Sequence, residues 1–130
     1  MFQYKVYYED TDAGGVVYYA NYLKFFERAR TDFLLSKGVS QVELAKTGVF
    51  FVVKTCSIEY ISSAILEDTL TVSCKALEVT KASVTFEQSI TCNQKAIVHG
   101  NIKVVCVIKN GNVFKPKAIP YNVLTILQSI

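Results

Sequence analysis

Between Tyr7 and Tyr22 the chain crowds three carboxylates, Glu9, Asp10 and Asp12, into four positions. Gly14-Gly15 follows, and then the aromatic stretch Tyr18-Tyr19-Ala20-Asn21-Tyr22. Carboxylates this close repel one another and are costly to bury together, so the cluster calls for a local role. One role is structural: Asp10 or Asp12 caps a turn, and the acids favour the positive end of a helix dipole. The other is chemical. A glycine pair lets the backbone approach a ligand, and the first turn of a following helix offers N–H groups to a developing oxyanion. A base or nucleophile on one side and N–H donors on the other make an acyl-transfer site.

Two kinds of element must position these groups. A short strand, 3–9, leads into the turn-forming run Asp10-Thr11-Asp12-Ala13-Gly14-Gly15. Tyr19, Tyr22, Phe26, Ala29 and Phe33 then recur at spacings of three and four, which predicts an amphipathic helix over 18–36 ended by Gly38. Tyr18, Leu23, Phe25 and Leu34 widen its apolar coverage, so burial on several sides is expected. The remainder is strand-like over 49–61, 68–79, 82–92 and 96–108. Leu70, Val72, Cys74 and Ala76 share one face before Leu77 and Val79 switch phase, which predicts a bulge or bend near Ala76. Turns are expected at Lys81, Asn93-Gln94 and Asn110-Gly111-Asn112, and a short helix after Pro120. One early helix and four long antiparallel strands make an α+β domain, a curved antiparallel sheet around a long central helix. With no linker or repeat, residues 1–130 read as one domain, and its sheet edges predict a symmetric homo-oligomer.

Composition narrows the function classes. Hydrophobic residues are 51% and charged residues 19% of the chain, which excludes a disordered tail. Apolar runs such as 49–53 and 104–108 are far shorter than the roughly 20 residues of a spanning helix, so membrane insertion is not expected. Met1-Phe2-Gln3-Tyr4-Lys5 has no export pattern, so a cytoplasmic location is expected. All 11 acidic residues lie between Glu9 and Glu87, leaving Lys95, Lys103, Lys109, Lys115 and Lys117 in an acid-free C-terminal third. Such lysines suit a solvated face or an anionic ligand; the net charge of +3 and the lack of a recognisable module argue against nucleic acid. Cys56, Cys74, Cys92 and Cys106 lie in strand-like runs without a C-x-x-C pair and are expected to be reduced core thiols. The single His99 gives little scope for a Cys-His or Ser-His-Asp site.

The run Tyr8-Glu9-Asp10-Thr11-Asp12-Ala13-Gly14-Gly15-Val16-Val17-Tyr18, continued by Ala20-Asn21-Tyr22-Leu23 and Phe25-Phe26-Glu27-Arg28-Ala29-Arg30, resembles the YbgC acyl-CoA thioesterases, relatives of 4-hydroxybenzoyl-CoA thioesterase. Phe51-Val52-Val53, Ile58-Glu59-Tyr60, Val104-Val105-Cys106-Val107 and Lys115-Pro116-Lys117-Ala118-Ile119-Pro120 extend the likeness over most of the chain. The resemblance implies the hot-dog fold, assembly as a dimer or a tetramer of paired dimers, and hydrolysis of an acyl-CoA, a fatty acyl-CoA by preference, without metal or redox cofactor. It implies Asp12 as the catalytic carboxylate, nucleophile or general base, and the Tyr19 backbone N–H as the group polarising the carbonyl. Some relatives carry histidine where Tyr19 stands. Gly14 and Gly15 would shape the loop; Tyr8, Tyr18 and Asn21 would line or support the pocket. Lys54, Lys115 and Lys117, with Lys103 as a further candidate, would meet the phosphates of coenzyme A, lysines of different chains being allowed. Acyl carrier protein thioesters are a second expected substrate or partner. Two rival classes are a hot-dog domain that binds acyl-CoA or acyl carrier protein as sensor or scaffold without turnover, and a hot-dog dehydratase, for which His99 is poorly placed.

Overall fold

In the run Ser83–Cys92, Val84, Phe86, Gln88, Ile90 and Cys92 alternate with Thr85, Glu87, Ser89 and Thr91, and the first set is buried while the second is half-buried. That period of two is a strand with one face on a core. The computed structural model describes residues 1–129. Among them, seven strands form one antiparallel sheet: β1 Phe2–Lys5, β2 Val49–Tyr60, β3 Thr69–Val72, β4 Lys75–Val79, β5 Ser83–Cys92, β6 Lys95–Asn110 and β7 Val113–Pro116. The path through it is β1-β3-β5-β6-β2, with β4 also on β5 and β7 also on β6. Three helices complete the fold: α1 Tyr22–Ser36, α2 Gln41–Ala45 and α3 Tyr121–Gln128.

Helix α1 lies against the concave face. Tyr22, Phe25, Phe26, Ala29, Phe33 and Leu34 are buried against Leu70, Val72, Phe86, Ile90 and Ile102 of the sheet. Burying each large apolar side chain contributes about 1.5–3 kcal/mol. Gly100 makes the closest approach possible: a Cβ there would stand 2.6 Å from Ile58 Cδ1 and 3.1 Å from Phe26 Cε2. The α+β hot-dog arrangement expected from the sequence is therefore present, with a sheet curved around one long helix.

Several local expectations need correction. The first strand is shorter than 3–9, because Tyr8–Asp10 is a 3₁₀ turn. The long helix starts as a 3₁₀ turn, Tyr19–Asn21, and becomes α-helical at Tyr22. Tyr18, Tyr19 and Leu23 are exposed, so one side of the helix is open where burial on several sides was expected. Gly38, at φ 82°, ends α1 in the left-handed conformation, with Val39 N–H donating to Leu34 O. The 68–79 segment divides into β3 and β4 around Ser73-Cys74, and a register shift falls between Ala76 and Glu78, where the phase change pointed. Asn93 and Gln94 both take positive φ in the β5–β6 hairpin. All four cysteines are free, but Cys56 is exposed rather than in the core.

Strand β2 is an edge of the sheet and carries a bulge. Val53 pairs with Val104 and Thr55 with Lys103, so Lys54 is one residue too many. The bulge shifts the alternation, and Phe51 and Val53 before it share a face with Cys56, Ile58 and Tyr60 after it, opposite Cys106, Val104, Ile102, Gly100 and Val98 of β6. That face looks towards α1.

Candidate active site

The acidic loop is built on Asp10. Its side chain is 7% exposed and Oδ2 accepts the Tyr7 N–H at 2.8 Å. Its backbone carbonyl accepts two donors, the Tyr18 N–H at 2.9 Å and Asn21 Nδ2 at 3.0 Å. Asp10 is thus the structural member of the cluster, joining the strand end to the helix start. Bridges from Thr11 to Val17 and from Val16 to Ile65 close the loop into a small hairpin lying on the 64–66 segment.

Asp12 sits at the tip of that hairpin and is exposed. Its Oδ1 accepts the Gly14 N–H at 2.8 Å, the Gly15 N–H donates to its carbonyl at 3.0 Å, and its own N–H donates to Val16 O. Gly15 takes φ 83°, which an L side chain rarely adopts, and a Cβ on Gly14 would stand 3.2 Å from Asp12 Oδ1. The glycine pair therefore fixes the orientation of this carboxylate. Tyr8, Thr11, Asp12, Ala13, Gly15 and Leu66 line an open cleft.

Across the loop, the Asn21 N–H donates to Tyr18 O as the 3₁₀ turn begins. The N–H groups of Tyr19 and Ala20, first in that turn, are the ones a helix start leaves without an intrahelical acceptor. The Tyr19 ring stacks obliquely on Tyr18 at 5.0 Å and meets Tyr60 edge-on at 5.9 Å. Tyr22 contacts Tyr60 and accepts the Ala64 N–H on its hydroxyl. Burial is the largest cause holding the Tyr22 and Tyr60 phenols above their ordinary pKa.

The structure gathers Tyr8, Asp12, Gly14, Gly15, Tyr18, Tyr19 and Asn21 into one region. It separates the lysines from it. Lys115 pairs with Ile108, which pairs with Val49, and the Lys117 N–H donates to Cys106 O. Tyr60, beside Tyr19, is at the other end of β2, about 35 Å away along an extended strand. Lys54 marks the bulge midway and is exposed. Within one chain Lys115 and Lys117 therefore do not stand beside Asp12. Tyr60, Ile65 and Leu66 are site residues that the sequence reading missed. Tyr60 ends strand β2 and Ile65-Leu66 is an apolar pair in a loop, and neither pattern carries chemistry of its own.

Comparison with known proteins fits this geometry. Residues 6–127 match the family model described as the thioesterase-like superfamily. The acyl-CoA thioesterase YbgC of Haemophilus influenzae is 45% identical over 94% of this chain and 89% of its own length. The acyl-CoA thioester hydrolase YbgC of Escherichia coli O157:H7 is 39% identical over 92% of this chain and 89% of its own. Among solved structures, a probable thioesterase from Bartonella henselae superposes with a TM-score of 0.86 at 33% identity, covering 92% of this chain and 97% of that one. With its fold in agreement with these matches, the chain belongs to the thioesterase-like superfamily, and within it to the YbgC acyl-CoA thioesterases.

Proposed function

We propose that the protein hydrolyses fatty acyl-CoA in the cytoplasm, with Asp12 as the catalytic carboxylate and the Tyr19 N–H polarising the thioester carbonyl. The observation that carries this reading is the pairing of an exposed, glycine-fixed carboxylate with a helix start tied to the same loop through Asp10 and Asn21. The reaction consumes one water: the C–S bond breaks, the acyl carbon gains oxygen, and the thiolate leaves as coenzyme A after taking a proton. Asp12 serves it either by adding to the carbonyl or by removing a proton from water, and the same N–H stabilises the oxyanion in both. Neither route calls for a metal or redox cofactor, and acyl carrier protein thioesters present the same bond.

A second copy fits this reading. Antiparallel pairing of two β2 edges about a two-fold axis would set the Val49 end of one strand beside the Tyr60 end of the other, bringing the partner chain's lysine-bearing end towards the site. Lys54, Lys115 and Lys117 would then meet the phosphates of coenzyme A across the boundary.

The test is thiol release from straight-chain acyl-CoAs by the wild type and Asp12→Asn. Turnover by the wild type and a loss of roughly 10²–10⁴-fold in the variant are expected. No release from any acyl-CoA would instead favour a binding domain, and an unaffected variant would remove Asp12 from the chemistry.

A further inference from the structure

Helix α1 and strand β2 run antiparallel and enclose a groove that starts at the proposed oxyanion donor. Tyr19, Leu23, Glu27, Arg30 and Leu34, spaced by four, four, three and four, form one stripe of the helix. Tyr60, Cys56, Val53 and Phe51 face them in the reverse order: Tyr60 touches Tyr19, Cys56 and Leu23 line one cavity, and Phe51 and Leu34 line the next. The nearer cavity, of about 520 Å³, and the farther one, of about 150 Å³, meet at Glu27, Arg30 and Val53. Beyond that neck the walls are mostly apolar, with Val84, Phe86, Val104 and Leu127 among them.

Arg30 at the neck is an unusual residue for such a position. Its Nη1 donates to Gln88 Oε1 at 2.9 Å, and Gln88 is fully buried, with Nε2 donating to Phe26 O at 3.0 Å. Among the described residues no carboxylate comes within ion-pair distance of Arg30. A guanidinium has five donors, so an alkyl tail pushed past it strips water from donors and gives no acceptor in return. Resting on the hydrolase reading above, we propose that Arg30, held in place by Gln88, ends the acyl site and makes the enzyme selective for medium-chain acyl groups.

The length follows from geometry. Tyr19 to Arg30 spans about 16 Å at about 1.5 Å per helical residue. An extended alkyl chain, with bonds of about 1.5 Å at about 111°, advances about 1.25 Å per carbon and so reaches the neck at about a dozen carbons.

The decisive measurement is kcat/KM across acyl-CoAs from butanoyl to octadecanoyl. In the wild type it should climb to dodecanoyl-CoA and fall by hexadecanoyl-CoA; in Arg30→Met, which keeps the stem without the charge, the hexadecanoyl-to-dodecanoyl ratio should rise about tenfold. A level profile beyond dodecanoyl in the wild type, or an unchanged ratio in the variant, overturns the proposal. Should Arg30→Met fail to fold, Val53→Phe narrows the same neck from β2 and should lower that ratio. Cys56 supplies an independent readout, because it is exposed and lines the nearer cavity. Dodecanoate should slow its alkylation by iodoacetamide and butanoate should not. Protection without any turnover would sink the hydrolase reading while keeping the groove as an acyl site. A Cys56 that is inert in the free protein would mean that a second copy fills the groove, and would overturn the proposal.

Discussion

Asn21 Nδ2 donates to the backbone carbonyl of Asp10 at 3.0 Å, so the helix start and the acidic hairpin are held by one side chain across eleven residues of sequence. The same carbonyl takes the Tyr18 N–H. Replacing Asn21 with alanine removes one of two ties and leaves the carboxylate and the N–H donor chemically intact. A loss of kcat of roughly 10- to 100-fold is expected from misplacement alone, with far-UV circular dichroism unchanged.

If the Tyr19 backbone N–H polarises the carbonyl, its side chain is dispensable and its amide hydrogen is not. Tyr18, at φ −61° and ψ 128°, already has the conformation that precedes proline, and the first position of a helical turn tolerates one. Tyr19→Pro should therefore fold and lose roughly 10²–10³-fold in kcat, whereas Tyr19→Phe should stay within a few-fold of wild type. Equal kinetics for the two variants would move the oxyanion donor elsewhere.

Gly100 lets Phe26 and Ile58 meet over the backbone of β6. A methyl group there also faces Ser57 O at 3.1 Å, which cannot swing aside as a side chain would. Gly100→Ala should cost about 1–3 kcal/mol, read as a lower urea midpoint with an unchanged m-value.

Alkaline pH should weaken the fold through groups that the native state keeps protonated. Burial pushes the Cys74 thiol from an ordinary 9.0 up to about 12. Burial, followed by the hydrogen bond to Asp32, raises the Tyr4 phenol above its usual 10.0. Both folded pKa values lie above the unfolded ones, so their contribution is complete below about pH 9 and shrinks as pH climbs towards 12 and beyond. Urea titrations should show stability declining from pH 9 upwards, and Cys74→Ala should flatten the first part of that decline.

Strong periodicity made α1 and the long strands readable, because burial imposes those periods on the residues themselves. Short elements escaped. Strand β7 holds four residues, one of them Pro116, and takes its identity from pairing with β6 rather than from its own pattern. Helix α2 is five residues long and was not expected; its start is capped by Ser40, whose Oγ accepts the Glu43 N–H at 3.2 Å. The acidic cluster itself left Asp10 and Asp12 interchangeable as turn caps. Burial separates them: Asp10 is enclosed between the Tyr7 N–H and the Tyr18–Asn21 helix start, while Asp12 lies at the exposed tip, a difference made by folding rather than by residue type. The lysines show the limit most clearly: a run of like charge says nothing about its distance from a site at the other end of the sheet.

The bulge at Lys54 has an evolutionary consequence. Deleting that residue would join Val53 directly to Thr55 and restore ordinary alternation, with Phe51, Val53, Cys56, Ile58 and Tyr60 still facing inward. A relative one residue shorter at this point therefore keeps the same groove wall. What such a deletion changes is the free edge, which becomes a straighter template for another strand, so a single codon separates two ways of docking a neighbour without touching the pocket behind it.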